Sequence, residues 1–286
     1  MVNSVSFHKY LIQLIGREVK QLHSLSGGDI NQAFQIEFSS GAPLFLKTNP
    51  NVDRDFFQAE ADGLDALRKS KTLLVPKCIA IDDFDGYHFL ILEYLPQSTQ
   101  RDYPALGRGL AELHLCSHDY YGWEKDNYIG SLEQTNAFLK DWPEFYAEYR
   151  ILALSQKAFN AGYINRQDLK AIESFLYRYP ELIPKEKPAL VHGDLWSGNV
   201  LYTKDGTPAL IDPSVYYGHR EIDLALMHLF GGFPQAVFDS YSAHYPLEGD
   251  WQSRIKYQQL YPLLVHLVLF GTSYRSACRE IWQPFS

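Results

Sequence analysis

Leu190-Val191-His192-Gly193-Asp194-Leu195-Trp196-Ser197-Gly198-Asn199-Val200-Leu201, followed by Ala209-Leu210-Ile211-Asp212, sets three oxygen-bearing side chains among short apolar runs. Asp194 and Asn199 stand five residues apart. The apolar runs on either side of Asp205-Gly206 predict a hairpin with a type I′ turn, since that dipeptide suits two consecutive positive φ angles. The midpoint between Asn199 and Asp212 falls inside the turn, so the hairpin sets these two residues opposite one another. An amide oxygen and a carboxylate can then converge on a hard, oxygen-seeking cation such as Mg²⁺. Singly, Asp and Asn are most often turn or capping residues. Jointly, the spacing, the hairpin and the flanking apolar strands point to one site.

Around this stretch lie 286 residues, enough for two domains of roughly 150 residues each. With 46% hydrophobic and 21% charged residues, and only 19 Gly and 15 Pro, the composition excludes disordered and collagen-like classes. A net charge of −8 argues against a broad grip on nucleic acid or anionic lipid. Neither nucleic acid nor membrane is therefore expected as a partner, and an anionic ligand must be held locally. Cys78, Cys116 and Cys278 are odd in number and lack metal-type spacing. The first residues lack the pattern of a signal peptide. Leu260 to Gly271 is too short to span a bilayer and contains Pro262 and His266. A cytoplasmic protein is the expectation.

Up to about residue 93, β-type runs alternate with turn signals, as at Phe34 to Phe38, Leu44 to Lys47 and Phe89 to Leu92. One helix interrupts them, because Phe56, Phe57, Glu60, Ala61, Leu64 and Leu67 share a face. From Pro104 the pattern turns helical, with Leu106, Leu110 and Leu113 behind a proline suited to a first turn. An aromatic-rich, largely helical insertion separates His114 from His192. The expectation is an α+β chain of two lobes. Residues 1–95 form a small N-terminal β-sheet lobe with one helix, and residues 96–286 form a larger, mainly helical lobe.

The step from Asp194 to Asn199 is that of the kinase catalytic loop H-R-D-x-x-x-x-N, where the aspartate acts as base and the asparagine binds metal. Lys47 ends a strand-like run and Glu60 follows thirteen residues later on the amphipathic helix. This is the ordered Lys and Glu pair that steadies ATP phosphates in kinases, although such a pair can equally be a surface contact of little worth. Gly27, Gly28 and Asp29 lie between a helix-like segment and a strand, where glycines let backbone amides approach phosphate oxygens. Protein kinases are set aside on spacing. Pro213 rather than Phe-Gly follows Asp212, Asp223 comes eleven residues on, and no Ala-Pro-Glu follows to close an activation segment. A metallohydrolase centre of His192, Asp194, Asp212 and His219 uses ordinary metal ligands but accounts for less of the chain.

Over nearly its whole length the sequence resembles the fructosamine-3-kinase (ketosamine-3-kinase) family, which is related to aminoglycoside and choline kinases. The resemblance is carried by Gly27 to Asn31, Phe45 to Asn49, Asp126-Asn127-Tyr128-Ile129-Gly130 with Gln134 and Asn136, His192 to Asn199, Ile211-Asp212-Pro213 and Glu221 to Ala225. It implies a protein-kinase-like fold, ATP and Mg²⁺ as cofactors, and transfer to O3 of a small-molecule or protein-bound ketosamine, whose 3-phosphate then decomposes and frees the amine. Asp194 is then the catalytic base, Asn199 and Asp212 the metal ligands, and Lys47 with Glu60 the phosphate anchor. Glu93, Tyr94 and Leu95 supply hinge groups to adenine, Trp196 lines the sugar pocket, and His192 and Asp223 brace the catalytic loop. Some members carry cysteine where this chain has Asp29, so no redox switch is expected there. Two alternatives stay open: a kinase for an aminoglycoside, choline or another small alcohol, and a nucleotide-binding module without catalysis. Intact Lys47, Asp194, Asn199 and Asp212 speak against the latter.

Overall fold

Five strands, with runs of buried residues in the two that carry Leu44–Asn49 and Tyr87–Glu93, build the first part of the chain, in a computed structural model that describes residues 4–25 and 31–286. The chain forms two compact units, Met1–Arg101 with Leu201–Ile211, and Asp102–Val200 with Asp212–Ser286. The hairpin that follows the catalytic-loop sequence thus belongs with the first unit, so the two units are not two uninterrupted stretches of chain.

In the first unit, α1 (Val5–Ile15) begins where the Ser4 hydroxyl accepts from the Phe7 amide at 3.2 Å. Strands β1 (Val19–Leu25), β2 (Gln32–Phe38), β3 (Leu44–Asn49), β4 (Cys78–Phe84) and β5 (Tyr87–Glu93) form an antiparallel sheet in the order β1-β2-β3-β5-β4. Phe7 and Leu11 of α1 pack with Leu22, Ile36, Leu46 and Phe89 to make its core. The helix expected to interrupt the strands is α2 (Arg54–Ser70), whose buried face carries Phe56, Phe57, Ala61, Leu64 and Leu67 together with Glu60. α1 is a second helix ahead of the sheet.

The expected type I′ turn does not form at Asp205-Gly206. β9 (Val200–Tyr202) and β10 (Pro208–Leu210) are joined by a longer loop in which Gly206 has φ 84° while Asp205 is not among the positive-φ residues. The Gly206 amide bonds the Thr203 carbonyl at 2.8 Å, and the Thr203 amide bonds the Thr207 carbonyl at 3.0 Å. Asp205 spends its carboxylate on the Thr203 hydroxyl, a local bond that closes the loop without a left-handed aspartate. A two-residue loop with both angles positive occurs instead at Asp85 (φ 52°) and Gly86 (φ 76°), between β4 and β5.

The second unit starts with α3 (Tyr103–Leu115), capped by Asp102, and continues through the short hairpin β6 (Asn127–Ile129) and β7 (Leu132–Gln134). α4 (Trp142–Phe145) runs into a π-helical stretch, Tyr146–Leu152, and then α5 (Ala153–Asn160) and α6 (Arg166–Leu182). β8 (Ala189–Val191) pairs with β11 (Tyr216–Gly218), and α7 (Glu221–Phe230), α8 (Gln235–His244), α9 (Trp251–Phe270) and α10 (Arg275–Trp282) complete the unit. Its core is aromatic, with Trp142, Phe145, Tyr146, Phe175, Tyr179 and Trp282 all buried. No helix among the described residues is long and apolar enough to cross a membrane. The architecture is therefore α+β, with an antiparallel sheet first and a larger helical part after it.

α6 carries a complete capping box. The Asn165 side chain accepts from the amides of Gln167 (2.8 Å) and Asp168 (3.0 Å), and the Asp168 carboxylate accepts from the Asn165 amide at 2.9 Å. Asn165→Ala is expected to lower stability by about 1 kcal/mol, read as a lower urea midpoint at unchanged m. An unchanged midpoint would mean that the pairing of Asp168 with Arg279 at 2.7 Å suffices to hold this helix start.

Candidate active site

In the first unit, Lys47 lies on the central strand β3, opposite Leu90 of β5 and Ala33 of β2. Its ammonium donates to both carboxylate oxygens of Glu60, at 2.8 and 3.0 Å, and both side chains are buried. The surface-pair reading therefore does not hold, because a buried pair of this geometry fixes the ammonium in space. Glu93 ends β5 and is exposed, with its amide donating to the Lys77 carbonyl at 2.9 Å; Tyr94 and Leu95 follow, half-buried. Gly27, Gly28 and Asp29 lie outside the described residues.

In the second unit, the loop after β8 is shaped by one buried carboxylate. Asp223, in the first turn of α7, accepts from the His192 amide at 2.7 Å and the Gly193 amide at 2.9 Å. The acceptor duty goes to another loop rather than to its own helix. Gly193 has φ 82°, and a Cβ there would lie 2.1 Å from the Ser214 carbonyl oxygen, so both the turn and the close approach require glycine. His192 is buried, and its Nδ1 accepts from the Asp194 amide at 3.2 Å.

Past Asp194 the chain makes a short 3₁₀ turn, Ser197–Asn199, which brings Asn199 back over the aspartate. The Asn199 amide group donates to the Asp194 carbonyl (2.8 Å), the Asp194 carboxylate (3.1 Å) and the Asp212 carbonyl (3.5 Å). Three of the residues singled out in the sequence thus stand together. Burial, followed by the negative charge of Asp212, pushes the Asp194 carboxyl up to about 7, against the opposing hydrogen bond from Asn199. Because the Asn199 NH₂ is turned toward Asp194 and Asp212, its Oδ1 is the atom left to meet a cation. One amide oxygen and one carboxylate, beside a second carboxylate crowded by like charge, fit Mg²⁺, which keeps several waters and takes phosphate oxygens. Among the described residues no three His, Cys, Asp or Glu side chains cluster as a metal site.

Trp196 is 43% exposed, with its ring close over Gly198, so it is not a core residue. His219 is occupied structurally: its Nε2 donates to the Pro184 carbonyl at 3.2 Å and its Nδ1 accepts from the Glu221 amide at 3.3 Å. That leaves neither ring nitrogen for the metallohydrolase arrangement.

One residue was not singled out in the sequence. His114, at the end of α3, points Nε2 at the Asp223 carboxylate (3.2 Å) and Nδ1 at the Tyr241 hydroxyl (2.9 Å), and is fully buried. A carboxylate only accepts, so Nε2 donates to Asp223. The available signal was periodicity, since His114 continues the Leu106, Leu110, Leu113 face that α3 buries.

A model of the fructosamine kinase family matches residues 3–285. A probable ketoamine kinase of Enterococcus faecium is 39% identical over 267 residues, covering 91% of this chain and 93% of that protein. A chloroplastic protein-ribulosamine 3-kinase of Arabidopsis thaliana is 33% identical over 271 residues, covering 92% and 82%. The crystal structure of a candidate fructosamine-3-kinase from Thermobifida fusca is similar with a TM-score of 0.88 and 36% identity, over 99% of this chain and 98% of that one. Matched from end to end in sequence and in fold, this chain belongs to the fructosamine kinase family.

Proposed function

We propose that this protein transfers the γ-phosphoryl group of ATP to the 3-hydroxyl of a ketosamine, free or protein-bound, and that decomposition of the 3-phosphate then frees the amine. The observation that carries this reading is the Asp194 carboxylate, held by the Asn199 amide beside Asp212, in a chain whose relatives are named ketoamine and ribulosamine kinases.

Asp194 orients the acceptor hydroxyl and takes its proton. A carboxyl raised toward neutrality is a stronger base than an ordinary aspartate and still loses its proton at working pH. Asn199 and Asp212 would hold Mg²⁺, which when bound neutralises charge on the phosphates. Lys47, fixed by Glu60, steadies phosphate oxygens. Adenine takes backbone groups from Glu93, Tyr94 and Leu95. Since the Glu93 amide is engaged by Lys77, the N–H donor falls to Tyr94 or Leu95. Trp196 offers the C–H face of the sugar an apolar surface. Catalysis is then positioning and charge stabilisation. A cytoplasmic setting belongs to the same reading, in keeping with three free cysteines.

ADP release against a panel of ketosamines, aminoglycosides and choline tests the function directly, and turnover confined to the latter two would overturn the ketosamine reading. Asp194→Asn is expected to leave a folded, ATP-binding protein with kcat lowered roughly 10²-fold or more; near-normal transfer would remove Asp194 from the base role. Asp212→Ala should abolish Mg²⁺-dependent turnover while the protein still melts cooperatively. A complex with ATP and Mg²⁺ in which neither Asn199 nor Asp212 touches the ion would refute their assignment. Trp196→Ala should lower kcat/KM for ketosamine with little change in ATP affinity, and unaltered ketosamine kinetics would show that it makes no substrate contact.

A further inference from the structure

Asn127, Gln134 and Asn136 are conspicuous in the sequence, yet the chemistry above gives them no task. All three lie on or beside the β6–β7 hairpin, and the bonds of Asn127 and Gln134 run to the segment just after Asp212. The Asn127 amide group donates to the Val215 carbonyl at 2.8 Å. The Gln134 amide group donates to Asn127 Oδ1 at 2.7 Å and to the Ser214 carbonyl at 3.3 Å. The Ser214 hydroxyl donates in turn to the Tyr128 carbonyl. From α9, the Tyr261 hydroxyl donates to Gln134 Oε1.

Behind this layer lies Arg150, fully buried in the π-helical stretch. Its guanidinium donates to the Thr135 carbonyl (2.9 Å) and to Asn136 Oδ1 (2.7 Å), and sits 4.2 Å from the centre of the Tyr216 ring. Asn136 passes a hydrogen bond on to Asn127 Oδ1 at 3.1 Å. Burying a guanidinium on neutral partners is costly unless each is well placed, so the layer is held to one geometry.

The backbone that this layer grips is unusual. Asp212 has φ 53°, in the left-handed region that side chains rarely adopt. Such a conformation persists when its surroundings over-determine it. On one side the Ser214 amide is tied to the His192 carbonyl at 2.9 Å; on the other, Asn127 and Gln134 take the carbonyls of Val215 and Ser214.

We propose that the β6–β7 hairpin, backed by Arg150 and Tyr261, is a clamp that fixes the turn at Asp212 and so aims its carboxylate at the metal ion. The clamp residues are positioning residues that act through the Ser214 and Val215 backbone, and the inference rests on the reading that Asp212 and Asn199 take the cation.

The test titrates wild type, Gln134→Met and Tyr261→Phe with Mn²⁺ in the presence of ADP, following loss of the free-ion EPR signal. Metal-free ADP affinity and thermal melting are measured in parallel. The metal affinity of Gln134→Met should fall about tenfold. Tyr261→Phe, which removes one hydroxyl and keeps the ring, should shift the same way, with melting and metal-free ADP affinity near wild type. If Gln134→Met does not fold, Tyr261→Phe decides. Unchanged metal affinity in the folded variants, or a loss that merely parallels melting or ADP affinity, overturns the clamp alone. A wild type that takes up no Mn²⁺ beside ADP overturns the metal reading and the clamp with it.

Discussion

Two backbone amides on one buried carboxylate hold the catalytic loop in shape. Asp223 has no solvent exposure, and an ionised carboxylate in such a place costs several kcal/mol, about as much as its hydrogen bonds must return. The amides of His192 and Gly193 and the imidazole of His114 supply those bonds, while the first turn of α7 adds its own partial positive charge. The loop cannot relax without stranding that charge. The start of the loop, with the left-handed Gly193 that leads into Asp194, is fixed by this constraint.

Electrostatically, the same arrangement stores a tension. Asp194 titrates near 7 because burial and Asp212 disfavour its ionised form. A carboxyl whose folded pKa lies above its unfolded value of about 4 binds its proton more tightly when folded, so its ionisation as pH rises through that window weakens the fold. A cation taken up by Asn199 and Asp212, as proposed, would relieve the repulsion. The placement of like charges is thus unfavourable to the free protein and suited to a site that works with a positive ion and phosphate.

Sequence spacing exposed the local parts of this machinery. Asp194 and Asn199 lie within one loop, where five residues leave few geometries. Lys47 and Glu60 are each fixed by the period of their own element. Where a local rule had a competitor, reading by rule failed. Asp205-Gly206 suits a type I′ turn, but Asp205 could bond Thr203 instead and formed a longer loop. Asp223 at a helix start, by contrast, reads as an acceptor for backbone amides of the loop around Asp194, and the amides of His192 and Gly193 donate to it.

By itself, then, the sequence determined the order of sheet and helices, the grouping of Asp194, Asn199 and Asp212 into one candidate site, and the resemblance to the family, because periodicity and short spacings are local properties. Only the tertiary structure decided that His114 and Tyr241 stand behind Asp223 and that the β6–β7 hairpin closes on Ser214 and Val215. It also decided that Lys47 and Glu60 meet in a buried pair rather than at the surface. The contacts of His114, Asp223 and the β6–β7 hairpin join residues tens of positions apart, and a hydrogen bond between distant residues leaves no period in the chain from which it could be read.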